Sequence, residues 1–235
     1  QQIICQIVLG PNPKLNLEEI SPWLEYRHKN YNLILSNLEK QKTGRIIKTH
    51  LPFNYIQYNK KAKYIYIIRD TKDLVWSLHN HHYNANIWWY NNLNSLPDKL
   101  GIKFSRPSSN KRQYFLDFLK NDGKPFWPYY ENINSWWKVK ELPNIYLIHY
   151  KNLQNDIKTQ IKLLLQFLEL EIDEIKLDEI IKLSNFSFMK KNAELFAPNM
   201  GKNWIGGAKT FFNRGHDNQW KNDLTKNDIK LYEEK

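Results

Sequence analysis

Lys48 and His50 stand two residues apart in Lys48-Thr49-His50-Leu51-Pro52. In extended chain that spacing puts both side chains on one face. Together they supply a positive charge and a base. A histidine beside a strand is also commonly a structural one, so both readings stand here. Arg69 follows the apolar run Tyr64–Ile68 and precedes Asp70-Thr71-Lys72-Asp73. Strand, basic residue and helix N-terminus is a phosphate-binding geometry: the first-turn amides are unpaired, the dipole favours an anion, and arginine adds a forked charge. Ser77, on the same helix, can add a hydroxyl. The competing reading is a surface ion pair. Asn213-Arg214-Gly215 lies in a stretch with Gly201, Gly206 and Gly207 and can fold over a phosphate. His79 and His82 have helical spacing, but no neighbouring carboxylate or cysteine completes a metal set, so no metal is assigned.

These residues need elements to position them. Tyr64–Ile68 reads as a strand buried on both faces of a parallel sheet. Asp70 then caps a helix that packs Leu74, Val75 and Leu78 back on the sheet. Arg45-Ile46-Ile47 reads as a second short strand, closed by Pro52, and places Lys48 and His50 at a carboxyl end. Ligands of open α/β sheets bind at such ends. Asn144–Tyr150 reads as a third strand. Helices are expected over residues 31–41, with Leu33, Leu35 and Leu38 inward, and over 112–120, 129–138, 157–168, 172–183 and 226–234. Ile157, Ile161, Leu164, Leu165 and Leu168 give one of these its apolar stripe. Residues 83–110 read as a long irregular lid in which Trp88, Trp89 and Tyr90 either line an aromatic acceptor pocket or simply pack. Residues 192–219 show no steady period. No repeat or linker divides the chain, so one domain over residues 1–235 is expected.

Composition narrows the class. The chain has 235 residues, enough for one α/β domain with a substantial core. No apolar run reaches the length of a membrane span. Cys5 is the single cysteine, which excludes an internal disulfide and points to a reducing, cytoplasmic setting. The net charge of +11 suggests an anionic partner, although a lysine-rich solvated exterior also explains it.

Five segments, in order, resemble the soluble 3′-phosphoadenosine-5′-phosphosulfate (PAPS)-dependent sulfotransferases, most closely their bacterial aryl/alcohol-type branch. Residues 48–52 resemble the family's KTHLP, whose His is the catalytic base and whose Lys assists transfer. Residues 66–77 resemble the segment whose Arg and Ser hold the donor's 3′-phosphate, here Arg69 and Ser77. Residues 146–150 resemble the strand whose final Tyr, here Tyr150, faces the nucleotide. Residues 184–192 resemble TSF…MKxN, whose Thr and Phe positions, here Ser184 and Phe186, contact adenine. Asn213-Arg214-Gly215 with Trp220-Lys221 resembles RKG…DWK over the 3′-phosphate, with Asn213 replacing an Arg. The family's opening strand and KSGTTW-type loop are not found, and Gln1–Leu9 resembles the helix that follows them. The resemblance therefore implies a P-loop-like α/β fold, a parallel sheet flanked by helices, truncated at its N-terminus and inactive as it stands. Lys226 and Lys230 replace residues of the dimer motif of many animal relatives, which leaves the oligomeric state open.

The implied reaction is sulfuryl transfer from PAPS to a hydroxyl or amine of a small-molecule acceptor, without a metal. His50 takes the acceptor proton and Lys48 neutralises the leaving phosphate. Arg69, Ser77, Asn213, Arg214 and Gly215 hold the 3′-phosphate. Two other classes compete: a P-loop nucleotide-binding relative such as a kinase, whose Walker lysine and metal-binding Ser/Asp this sequence does not show, and a nucleic-acid-binding protein suggested by the charge and the many aromatics. Against the second, the aromatics are not interleaved with Lys and Arg on one platform.

Overall fold

A computed structural model describes every residue except 27–30, 42–43, 96–102, 124–126 and 216. Among the described residues the sheet is a parallel pair, β1 (Tyr64–Ile68) and β2 (Ile145–His149), in register from Tyr64 opposite Ile145 to Ile68 opposite His149. Both strands are runs of β-branched and aromatic residues, the types that fit a pleated surface. Parallel pairing demands a long crossover. The chain supplies it through the helices Thr71–Asn84, Ile87–Asn94, Lys111–Lys120 and Tyr129–Trp137.

Helices cover the pair and close its core. Ile148 of β2 is buried with Ile7 of the Gln2–Leu9 helix, Ile161, Leu164 and Leu165 of the Ile157–Leu168 helix, and Leu177 and Ile180 of the Glu174–Ser184 helix. Each of these helices shows an apolar stripe, and burying that stripe is what holds it in place. A second core joins Val75 and Trp76 to Phe115, Phe118, Leu119, Tyr129 and Leu224.

Several expectations are corrected. Arg45–Ile47 is not a strand; only Lys48 makes a parallel bridge, to Trp23. Too few residues run alongside a partner there to extend a ladder. β1 is not buried on both faces, because Ile67 is 49% exposed. The helix Tyr31–Glu39 turns Ile34 and Leu38 inward, leaving Leu33 and Leu35 60% and 54% exposed. The first part of the expected lid is helical, while residues 103–110 are irregular. The Thr71–Asn84 helix runs on to Asn84, and Ile87–Asn94 follows under an Asn86 cap whose side chain accepts from the Trp89 amide. Part of that lid, residues 96–102, lies outside the described residues. Trp89 and Tyr90 are buried with Ala85, Leu93, Phe104 and Trp204 as core, whereas Trp88 is exposed. Residues 192–219 include short helices at Ala193–Phe196, Met200–Asn203 and Gly207–Phe211.

Candidate active site

His50 is held from three sides. The extended segment ending at Lys48 pairs with residues 22–24: the Lys48 N–H donates to the Pro22 carbonyl, and the Leu24 N–H donates to the Lys48 carbonyl. That pairing brings Glu25 alongside. Glu25 Oε1 accepts from the His50 backbone N–H and lies 3.5 Å from His50 Nδ1. The imidazole packs edge-on to Trp23, with centroids 4.5 Å apart, and stacks on Trp127 at 4.9 Å. From below, Asn132 Nδ2 donates to the His50 carbonyl at 2.6 Å while its Oδ1 accepts from Tyr66 of β1 at 2.6 Å. Ser135 Oγ and Trp136 Nε1 of the same helix bind Phe53 N–H and the Leu51 carbonyl. Three residues one turn apart on the Tyr129–Trp137 helix therefore fix the whole loop 50–53 to the strand.

The electrostatics suit a neutral imidazole. Burial lowers the His50 pKa below its ordinary value; Glu25 opposes this and Lys48 adds to it. Burial pushes Glu25 up, but the His50 ring and backbone N–H beside it outweigh this and leave the carboxyl below its ordinary value. Lys48 Nζ sits 4.8 Å from the Trp23 ring centroid. A neutral, carboxylate-backed imidazole beside an ammonium can accept a proton near neutral pH.

Arg69 follows β1 directly, where Asp70 caps the next helix by accepting from the Lys72 and Asp73 amides. Its guanidinium lies over the Tyr150 ring, 4.5 Å from the centroid, a cation–π contact. Tyr150 starts a helix just after β2, whose His149 caps it. Register thus brings Arg69 and Tyr150 side by side, since Ile68 and His149 are partners. Arg69 Nη2 also donates to Asp217 at 2.8 Å, so the ion-pair reading of this arginine holds in part. Asp70, Asp73, Lys151, Asn218 and Trp220 complete the walls of a cavity of about 260 Å³ here.

The remaining expected residues divide. Gly215 sits against Phe186: at φ +69°, a Cβ there would meet the Phe186 ring at 2.4 Å. Only glycine fits both the backbone angle and the contact. The Asn213 carbonyl is held by Lys190 Nζ, and the Gly215 carbonyl accepts from Gln154 at 3.3 Å. Arg214 is exposed on that loop. Ser77 is half-buried on its helix and does not line the Arg69 cavity. Ser184 is buried at a helix end. His79 and His82 are engaged by the Ser108 carbonyl and the Tyr114 hydroxyl, which gives them structural roles.

Three functional candidates were missed in the sequence: Glu25, Asn132 and Asp217. For Glu25 the one available sign was an acid closing an aromatic Pro-Trp-Leu segment. For the others there was none, because each acts across more than 80 residues.

A family model described as "Sulfotransferase domain" matches residues 1–234. The chain belongs to the sulfotransferase domain family. It is 28% identical over 231 residues to sulfotransferase 2A6 of Rattus norvegicus, covering 95% of this chain and 73% of that one. Its fold is similar to that of retinol dehydratase solved in complex with androsterone and inactive cofactor PAP, at TM-score 0.69 and 18% identity, over 99% of this chain and 74% of the other. It is also similar to mouse sulfotransferase SULT7A1 complexed with PAP, at TM-score 0.64 and 21% identity, over 87% and 68%. The expected α/β sulfotransferase fold, parallel strands flanked by helices, is thereby the observed one. No helix among the described residues is long and apolar enough to cross a membrane.

Proposed function

We propose that this protein transfers a sulfuryl group from PAPS to a hydroxyl or amine of a small-molecule acceptor. The observation that carries the reading is that the candidate donor clamp and the candidate base are both fixed to one strand. Arg69 follows β1, and His50 is tied to it through Asn132 and Tyr66. The relatives named above support it, since two were solved with PAP. Extension to the bacterial aryl/alcohol-type branch rests on the motif resemblance, and the mammalian relatives do not bear on it.

The residues present fit such a donor. Arg69 Nε and Ser184 Oγ are buried polar atoms with no hydrogen-bond partner among the described residues. Buried polar groups usually have a partner, and a bound nucleotide would supply one to each of these two. Arg69, Ser77, Asn213, Arg214 and the Gly215 amide would hold the 3′-phosphate, and Tyr150, Ser184 and Phe186 the adenosine. When bound, the donor supplies an activated sulfuryl group on a good phosphate leaving group. His50 receives the acceptor proton, with Glu25 backing the imidazolium that results. Lys48 stabilises the negative charge that grows on the leaving side. The 3′-phosphate clamp orients and adds no chemistry of its own.

Titration calorimetry tests the donor half. Arg69→Ala should weaken adenosine 3′,5′-bisphosphate roughly 10- to 100-fold, the loss of one charge-assisted contact. Adenosine 5′-monophosphate should bind unchanged. Equal losses for both ligands would make Arg69 a structural residue and sink this reading.

A further inference from the structure

The Arg69 cavity holds more acid than a phosphate site needs. Asp70 and Asp73 are accounted for: the first caps the helix, and the second accepts from the Asn218 N–H at 2.5 Å. Asp217 has no such backbone duty. Its Oδ1 takes the Arg69 guanidinium at 2.8 Å, and its Oδ2 lies 4.0 Å from Lys151 Nζ. Arg69 and Asp217 are only 18% and 12% exposed, whereas Lys151 is 53% exposed. Nη2 of the guanidinium is therefore spent on a carboxylate of the protein itself, while Nε, beside it on the same edge, has no hydrogen-bond partner among the described residues.

A phosphate and a carboxylate compete for the same fork, because both present a pair of anionic oxygens that arginine binds through paired N–H groups. Two anions on one guanidinium at this depth repel strongly. Asp217 must yield when a phosphate arrives, and Lys151 stands where the displaced carboxylate can go. We propose that Asp217 is an internal competitor for Arg69 that sets how strongly the protein favours a nucleotide with a 3′-phosphate over one without. The consequence is a site that binds its bisphosphate product weakly enough to release it. The inference rests on Arg69 being the 3′-phosphate residue, as proposed above.

The test titrates adenosine 3′,5′-bisphosphate and adenosine 5′-monophosphate into wild type, Asp217→Asn, Lys151→Met and Arg69→Ala, with thermal melts alongside. Asp217→Asn should bind the bisphosphate roughly tenfold tighter, the scale of one charge-assisted contact, and the monophosphate within twofold of wild type. It should also melt lower without ligand, because Arg69 loses its buried counter-ion, and gain more on adding bisphosphate. Lys151→Met leaves the Arg69–Asp217 pair in place on an exposed position, so it folds. It should weaken the bisphosphate several-fold and spare the monophosphate. Unchanged or weaker bisphosphate binding by Asp217→Asn overturns the inference. If that variant does not fold, an unchanged bisphosphate affinity in Lys151→Met overturns it instead. Should Arg69→Ala bind the bisphosphate as wild type does, the underlying assignment of Arg69 fails, a distinct result.

Discussion

The two halves of the site are built differently. Around Arg69, position comes from backbone: a strand end, a capped helix start, the β1–β2 register and a glycine that nothing else can replace. Around His50, position comes from side chains: Glu25, Asn132, Ser135 and the rings of Trp23 and Trp127. A backbone-built half tolerates change in most side chains and fails when geometry changes. A side-chain-built half can be detuned one atom at a time. The first suits a clamp that must only hold, and the second a proton acceptor whose basicity must be set.

Mutations can break or sharpen this contrast. The largest effect should come from His50→Ala, which should cut turnover by roughly 10²–10⁴ while leaving adenosine 3′,5′-bisphosphate affinity alone. A folded variant with wild-type turnover across a set of acceptors would remove His50 from the chemistry. Next, Gly215→Ala should strike the other half. It forces a Cβ into Phe186 and a left-handed backbone on alanine, at a cost of about 1–3 kcal/mol. Bisphosphate affinity and thermal midpoint should both fall, with little change in the pH profile; unaltered binding would show that the loop does not depend on that contact. Glu25→Gln should have the smallest effect and the most specific. Glu25 raises the His50 pKa against the lowering by burial, so its removal lets that pKa fall further. The acid limb of turnover should then move to lower pH, by less than about one unit. A shift to higher pH would mean that the limb belongs to another group. Stability follows the same sign. With the folded imidazole depressed, the unfolded chain takes up the proton first as pH drops below 6.5, so the His50 contribution to stability is complete above 6.5 and declines beneath it.

The contrast also explains what could be read from the chain alone. The Arg69 half was legible because its parts are consecutive: apolar strand, Arg69, Asp70 cap, helix. The Ile157–Leu168 helix was legible for the same reason, its stripe being a local period. The His50 half was legible only as far as Lys48 and His50 themselves. Glu25 reaches His50 across 25 residues, Asn132 across 82, and Asp217 reaches Arg69 across 148. No periodicity or spacing encodes a hydrogen bond of that span; tertiary packing makes it. The misreading of residues 87–94 as irregular has another cause. Their Asn and Trp residues have weak helix propensity, and burial of Trp89, Tyr90 and Leu93 against Trp204 overrides it.

Asn132 gives one of these long contacts a chemical meaning. Its amide is used in both senses, the oxygen toward the Tyr66 hydroxyl and the nitrogen toward the His50 carbonyl. An aspartate there has the same shape and volume, and would satisfy the tyrosine equally well. It has no hydrogen to offer the carbonyl, so two oxygens would face each other where one bond held the loop. The hold of the whole His50 loop on the strand thus turns on one nitrogen, in an exchange that would leave the fold's outline untouched.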